Sequence, residues 1–162
     1  MAELDLIQTM RARDVNAARL ARCYATISGQ RYLMMMAKNL KATAKKNKKE
    51  VAILGKTASG HKGSGWVGSG SMTIYFVTSM FVKLMKQYKE TGEDTYFDMQ
   101  IINSDPTSAS GSQILILKDC NMDSAVLAAF DADGDWLEQD TDFTFEDFEL
   151  PQGFTELDGV KL

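Results

Sequence analysis

Leu40-Lys41-Ala42-Thr43-Ala44-Lys45 sets small or apolar side chains at every second position, with Lys41, Thr43 and Lys45 between them. A period of two belongs to a β-strand with one polar face, because successive side chains of a strand point to opposite sides. Working outward, Cys23-Tyr24-Ala25-Thr26-Ile27 runs into the turn signal Ser28-Gly29-Gln30-Arg31, and residues 32–46 follow as the second arm of a β-hairpin. Asn47 predicts a second turn and residues 50–54 a short returning strand. Residues 1–20 mix helix formers with Arg11, Arg13 and Arg19 and keep no sustained period, so they read as an N-terminal arm, partly helical and outside the core.

Residues 55–70 hold six of the twelve glycines and read as a flexible loop. Strand character returns over 72–77. A helix is predicted over 79–91, with Thr78 or Ser79 as its cap, Phe81, Leu84, Met85 and Tyr88 as its apolar stripe and Gly92 as its stop. Lys83, Lys86 and Lys89 line another face. Residues 95–102 read as strand, 104–111 as a polar loop around Pro106, and 113–117, 126–130 and 143–150 as further strands. In the last, Phe143, Phe145 and Phe148 alternate with acids until a slip near Asp147. The fold class is mainly β (α+β), a small β-barrel or sandwich with long hairpins and one flanking helix. A core domain over 21–150 lies between the arm and a C-terminal tail, 151–162. No apolar stretch approaches the ~20 residues that cross a bilayer, and residues 33–37 are too short and too late for a secretory signal. Cys23 and Cys120 lack metal-type spacing; Cys120 ends an apolar run and is expected to be a buried free thiol, as in a cytoplasmic protein.

Charge is divided between the two ends. Residues 1–65 carry 13 Lys/Arg against 4 Asp/Glu, net +9, and residues 66–162 carry 5 against 18, net −13. Between residues 131 and 149 lie nine acids and no base. Such halves neutralise each other within one fold or between copies. A positive patch on one copy meeting a negative patch elsewhere on the next makes a heterologous contact, which propagates into rings or filaments.

Several tempting chemistries fail on spacing. Leu54-Gly55-Lys56-Thr57 has the end of a phosphate-binding loop, but Glu50 stands where the pattern needs its first glycine and would repel the anion. Asp131-Ala132-Asp133-Gly134-Asp135 starts like a calcium loop, yet Trp136 takes the place of the turn glycine and Asp142 that of the bidentate Glu. His61 is the one histidine, so neither a metal site nor a nucleophile–base set forms around it. The aromatics Tyr24 and Tyr32 are not interleaved with the basic cluster, and the pI of about 5.0 opposes duplex binding. No catalytic residue, cofactor or metal is expected. A monomeric acidic module that binds calcium or a basic partner through 131–149 is the alternative from another class.

In order along the chain, Arg11-Ala12-Arg13-Asp14-Val15, Lys38-Asn39-Leu40-Lys41-Ala42-Thr43, Lys46-Asn47-Lys48-Lys49-Glu50-Val51 and Leu54-Gly55-Lys56 resemble the tail tube protein of contractile-tailed phages. Gly60-His61-Lys62-Gly63-Ser64-Gly65-Trp66, Gly68-Ser69-Gly70-Ser71-Met72-Thr73-Ile74-Tyr75, Asp105-Pro106-Thr107-Ser108 and Asp142-Phe143-Thr144-Phe145-Glu146-Asp147 extend the resemblance over about residues 10–150. It is closest to the branch of defective prophages and phage-tail-like bacteriocins. Asn16-Ala17-Ala18-Arg19-Leu20 departs from it, standing where relatives tend to have a glycine-containing turn.

The resemblance implies a structural role. Six copies form a ring, their long hairpins joining into one continuous inner barrel around a channel, and rings stack into a tube inside a contractile sheath. The implied partners are further copies, the sheath, and baseplate and tail terminator proteins, with DNA only in transit in a complete phage and no membrane anchoring. Assembly is expected in the bacterial host cytoplasm, before incorporation into a tail or tail-like particle. An Hcp-type secretion tube shares the architecture. Candidate inter-subunit residues are Arg11, Arg13, Lys45, Lys46, Lys48, Lys49, Lys56, His61, Lys62, Trp66, Asp142, Glu146 and Asp147, with 55–66 expected to reach a neighbouring ring. If opposite charges hold the copies together, tube growth weakens with salt, since exposed pairs are screened beyond a Debye length of about 8 Å. Glu in place of Lys45, Lys46, Lys48 and Lys49 should then abolish tubes in electron micrographs; undiminished tubes would remove the electrostatic argument.

Overall fold

The glycine-rich stretch expected as a loop over 55–70 is for the most part a strand. A computed structural model describes residues 10–34 and 36–157. In chain order its elements are β1 (Arg22–Ile27), β2 (Gln30–Leu33), β3 (Ala37–Val51), β4 (Gly60–Tyr75), α1 (Met80–Thr91), β5 (Phe97–Ser104), β6 (Ser112–Met122), β7 (Glu138–Phe145) and β8 (Asp147–Gln152). Short 3-10 turns at Ala12–Asp14 and Ala18–Leu20 precede them. The strand order is β2-β1-β5-β6-β7-β4-β3, with β8 also on β6. The chain is thus mainly antiparallel β with one helix, as expected. The sheet is open, however, with β2 and β3 as its ends, so no barrel closes among the described residues.

The described residues divide into two compact units, 10–34, 98–117 and 148–157 in the first and 36–97 and 118–147 in the second. In the first unit, β1 and β2 pair from Tyr24↔Leu33 to Ile27↔Gln30. Ser28 (φ 52°) and Gly29 (φ 80°) alone remain to turn the chain. Two left-handed residues in a two-residue loop match the twist of the flanking strands. On its other edge β1 pairs with β5, Ala25 opposite Met99, and both side chains are buried with Leu117 and Met34. The expected arm over 32–46 breaks at Met34: its N–H donates to the Cys23 carbonyl (2.9 Å) in the first unit, while Ala37 begins pairing with β4 in the second. The chain changes partner there. Burial pushes the half-buried Cys23 thiol up to about 11, so it stays protonated at neutral pH. Cys120 is a buried free thiol, as expected.

In the second unit, β3 pairs with β4 along nearly its whole length, from Ala37↔Ile74 to Val51↔Gly60. Asn47, expected to turn the chain, instead sits at a bulge, where pairing passes from Asn47↔Gly65 to Lys48↔Gly63. The skipped Ser64 donates its hydroxyl to the Asn47 carbonyl (3.3 Å). The turn moves to residues 52–59, where Gly55 is left-handed (φ 85°). β7 covers the other edge of β4, with Phe145 opposite Gly68, Phe143 opposite Gly70 and Thr141 opposite Met72. Phe143, Phe145, Met72, Ile74, Thr141 and Gln139 are all buried on that face. The side-chain N and O atoms of Gln139 and the Thr141 hydroxyl have no hydrogen-bond partner among the described residues.

Residues 126–130, expected as strand, have no regular structure. The strand expected over 143–150 is two: β7 stops at Phe145, Glu146 donates its N–H to the Lys118 carbonyl (3.1 Å), and β8 begins at Asp147. Helix α1 matches its predicted span within a residue. The Thr78 hydroxyl accepts the Met80 N–H (3.2 Å), Phe81 is buried, and left-handed Gly92 closes it by donating to the Tyr88 carbonyl (2.8 Å).

The glycines of β4 are places for aromatic rings. A Cβ on Gly68 would lie 2.4 Å from the Phe145 ring, and one on Gly70 would lie 2.4 Å from Phe143 and 2.8 Å from the Lys41 carbonyl oxygen. Each single Gly→Ala change should cost about 1–3 kcal/mol by overpacking, read as a lowered urea midpoint. Gly68→Ala meets only a side chain, so Phe145→Leu should recover part of its loss. Gly70→Ala meets backbone as well, and Phe143→Leu should not rescue it.

Candidate assembly surface

β3 lies at the end of the strand order, so one side of this fifteen-residue strand has no partner strand among the described residues. An unpaired edge of that length presents a row of free N–H and C=O groups, a template for another chain. β7 reaches only as far as Gly68. Beyond it, residues 45–51 and 60–67 continue as a two-stranded ribbon that is almost wholly exposed. Two strands alone are marginal in water, so an exposed ribbon of this kind gains most by docking.

The register sorts the expected contact residues. Lys45 stands opposite Val67, Lys46 opposite Trp66, Lys48 opposite Gly63 and Lys49 opposite Lys62, while His61 faces Glu50 and Lys56 occupies the turn. These residues gather on one ribbon. The Trp66 ring lies 6.1 Å from that of Phe145 and remains partly exposed. The remaining five belong to other elements. Arg11 and Arg13 are exposed on the arm in the first unit, Glu146 sits in the bend after β7, and Asp147 opens β8. Asp142 lies mid-strand on the polar face of β7.

That polar face is arranged in rows. Lys41, Ser71 and Asp142 lie side by side, then Asn39, Thr73 and Asp140, then Thr43, Ser69 and Thr144. The Thr73 hydroxyl donates to Asp140 Oδ1 at 2.7 Å. At the end of the sheet Lys38 Nζ meets Glu138 Oε1 at 2.9 Å. This hydrogen bond raises the Lys38 pKa, and together with one from Trp136 Nε1 it lowers that of Glu138, so both stay charged across neutral pH. Sequence reading missed Lys38, Trp136 and Glu138. The alternating acids Glu138, Asp140 and Asp142 were visible, but pairing them with lysines a hundred residues away needs the register.

In the first unit the arm is fastened by the loop at Asp105. Asp105 Oδ2 accepts the Ala17 N–H (3.0 Å), and Oδ1 accepts both the N–H and the hydroxyl of Thr107 (2.9 and 2.7 Å). Ser108 donates its hydroxyl to the Asp14 carbonyl (2.8 Å), and Asn16 reaches Ser110 (3.2 Å). The Thr107 hydroxyl and N–H, then Ala17 and the Arg19 charge, hold the Asp105 carboxyl below its ordinary range.

Among the described residues no group of His, Cys, Asp and Glu is placed to hold a metal ion, and no helix is long and apolar enough to cross a membrane. The fold of the described residues is an open antiparallel sheet with one helix. A chain in the six-fold symmetrised baseplate of the anti-feeding prophage shares it, with a TM-score of 0.64 at 9% identity over 88% of this chain and 97% of that one. A chain in the extended sheath–tube complex of the PVC extracellular contractile injection system does so at a TM-score of 0.59, 8% identical over 94% and 97%. The chain belongs to the phage tail tube protein family, whose model matches residues 8–152. It is 44% identical over 115 residues to the phage-like element PBSX protein XkdM of Bacillus subtilis, covering 71% of this chain and 78% of that one. The resemblance read from residues 10–150 therefore holds.

Because the folded Asp105 pKa lies below the unfolded value of about 3.9, its contribution is complete above that value and is lost as pH falls through the folded one. The arm should stay docked down to about pH 4 and detach only below. At neutral pH, Asp105→Ala should release it, seen as faster tryptic cleavage after Arg11, Arg13 and Arg19, with Asp105→Asn intermediate. Unchanged cleavage in Asp105→Ala would show that the serine contacts alone hold the arm.

Proposed function

We propose that this chain is the repeating subunit of the inner tube of a contractile phage tail or phage-tail-like particle. Six copies close a ring and rings stack around a channel. The single observation that carries this reading is the free fifteen-residue edge of β3 beside a ribbon that outruns its own sheet. In a ring, the β3 edge of each copy pairs with a neighbour, and six open sheets become one closed barrel. Closure removes the edges that would otherwise aggregate. The absence of an enzymatic role follows from this reading, since a tube subunit works by shape and rigidity. The sheath surrounds the tube, baseplate and terminator proteins bound its ends, and DNA crosses the channel only in a complete phage. Subunits assemble in the host cytoplasm and leave it as part of the particle.

Negative-stain electron microscopy of the purified protein, across concentration and at low and moderate salt, should show six-fold rings or hollow tubes. A particle of monomer size at every concentration, with unfolding temperature raised by calcium, would instead support the acidic binding module.

A further inference from the structure

The two most exposed large apolar side chains of the second unit lie at opposite ends of one sheet. Leu54, at the tip of the β3–β4 ribbon, is fully exposed (103%), beside half-exposed Val51 and Ile53. Phe130 is 93% exposed, and with Trp136 (62%) and Leu137 it lines an open cavity of about 300 Å³. The indole N–H of Trp136 is taken by Glu138, so its polar edge is satisfied while most of the ring remains in solvent. Apolar side chains clustered this way and rimmed by polar ones mark interaction surfaces.

The rims have opposite charge. Lys48, Lys49, Lys56 and Lys62 flank the tip and outnumber its one acid, Glu50, whereas Asp131, Asp133 and Asp135 flank the cavity. The acidic rim is a formed turn: Asp131 Oδ1 accepts the Asp133 N–H (3.0 Å), and the Asp131 carbonyl accepts that of Gly134 (3.3 Å). Position rules out a meeting within one molecule. The cavity precedes Glu138, which pairs with Tyr75 at one end of β4, and the tip precedes Gly60 at the other. Fifteen residue steps at ~3.3 Å set them about 50 Å apart.

We propose that the tip of one copy seats Leu54 in the Phe130–Trp136 cavity of a second copy, lysines against aspartates, and that this is the contact by which one ring stacks on the next. Tip and cavity are different surfaces at opposite ends of the same sheet. Their union is head-to-tail and repeats without limit, as a tube requires. The inference rests on the tube reading and specifies the surfaces that read each other.

A charge exchange tests it. One variant carries Lys48→Glu, Lys49→Glu, Lys56→Glu and Lys62→Glu; a second carries Asp131→Lys, Asp133→Lys and Asp135→Lys; a third carries both sets. Each single set should raise the concentration at which tubes appear by about tenfold or more, leaving six-fold rings in micrographs, and the double set should restore stacking. Leu54→Ser should act like a single set and Leu54→Met should not, which keeps the test valid if a multiply charged variant misfolds. Normal tubes from both single sets would overturn the contact and turn the cavity outward, toward the sheath. Loss in both without recovery in the double set would also overturn it. Wild-type protein that forms neither rings nor tubes would overturn the tube reading itself, and this contact with it.

Discussion

Two phenylalanine rings lying on two glycines hold the second unit together. Phe143 and Phe145 of β7 occupy the space that side chains at positions 70 and 68 of β4 would take. A period-two strand has only two registers for its faces, and a slip of one residue would move every buried side chain of β7 into solvent. The ring-on-glycine contacts disfavour that slip, because Gly68 and Gly70 leave the room against the backbone that the two rings fill. Everything facing outward follows from this register. With Phe143 and Phe145 inside, Glu138, Asp140 and Asp142 are outside, in line with Thr73, Ser71 and the lysines of β3.

The charge division of the sequence acquires a geometry in this way. The basic half of the chain contributes the edge and the ribbon, and the acidic half contributes β7 and the loop before it. The row Lys41-Ser71-Asp142 grades from base to acid through a small hydroxyl residue, and Asn39-Thr73-Asp140 ends on an acid in the same way. Among the described residues, Lys38 with Glu138 is an ion pair that bridges strands, and it is exposed. Exposed pairs add little to the stability of a fold. Among the described residues no lysine of the ribbon beyond β7 forms an ion pair, which leaves its charge for the neighbouring copy proposed above.

How much of this could be read beforehand depends on whether the cue was local. Helix α1 could be, since its cap, stripe and stop all lie within fifteen residues, and so could the Ser28-Gly29 turn. The glycine-rich strand could not. Glycine is poor in strands by its own propensity, and what makes it right here is a phenylalanine more than seventy residues away. Asn47 misled for a related reason: its turn propensity is met by a bulge, where Ser64 supplies the hydrogen bond, and the chain goes straight on. The basic residues of the proposed contact surface were legible from composition, but Trp136 and Phe130 were not, because an aromatic in an acidic loop declares itself only when its exposure is known. Asp105 was visible only as part of a polar loop and hidden as an anchor for the arm.

An open sheet with one long free edge is, for a monomer, a fault: it exposes backbone, invites aggregation and leaves a ribbon without support. For a subunit the same features are requirements. A strand whose hydrogen bonds were all satisfied at home would have none left for a neighbour, and a ribbon no longer than its sheet would have nothing to carry beyond it. The glycines of β4 serve both needs. At 68 and 70 they admit the rings that fasten β4 to its own sheet, and at 63 and 65 they let the ribbon bulge and continue past it with little side-chain bulk. Stability is thus concentrated where β7 lies on β4, and the half of the hairpin beyond β7 is left for contacts that one chain cannot make with itself.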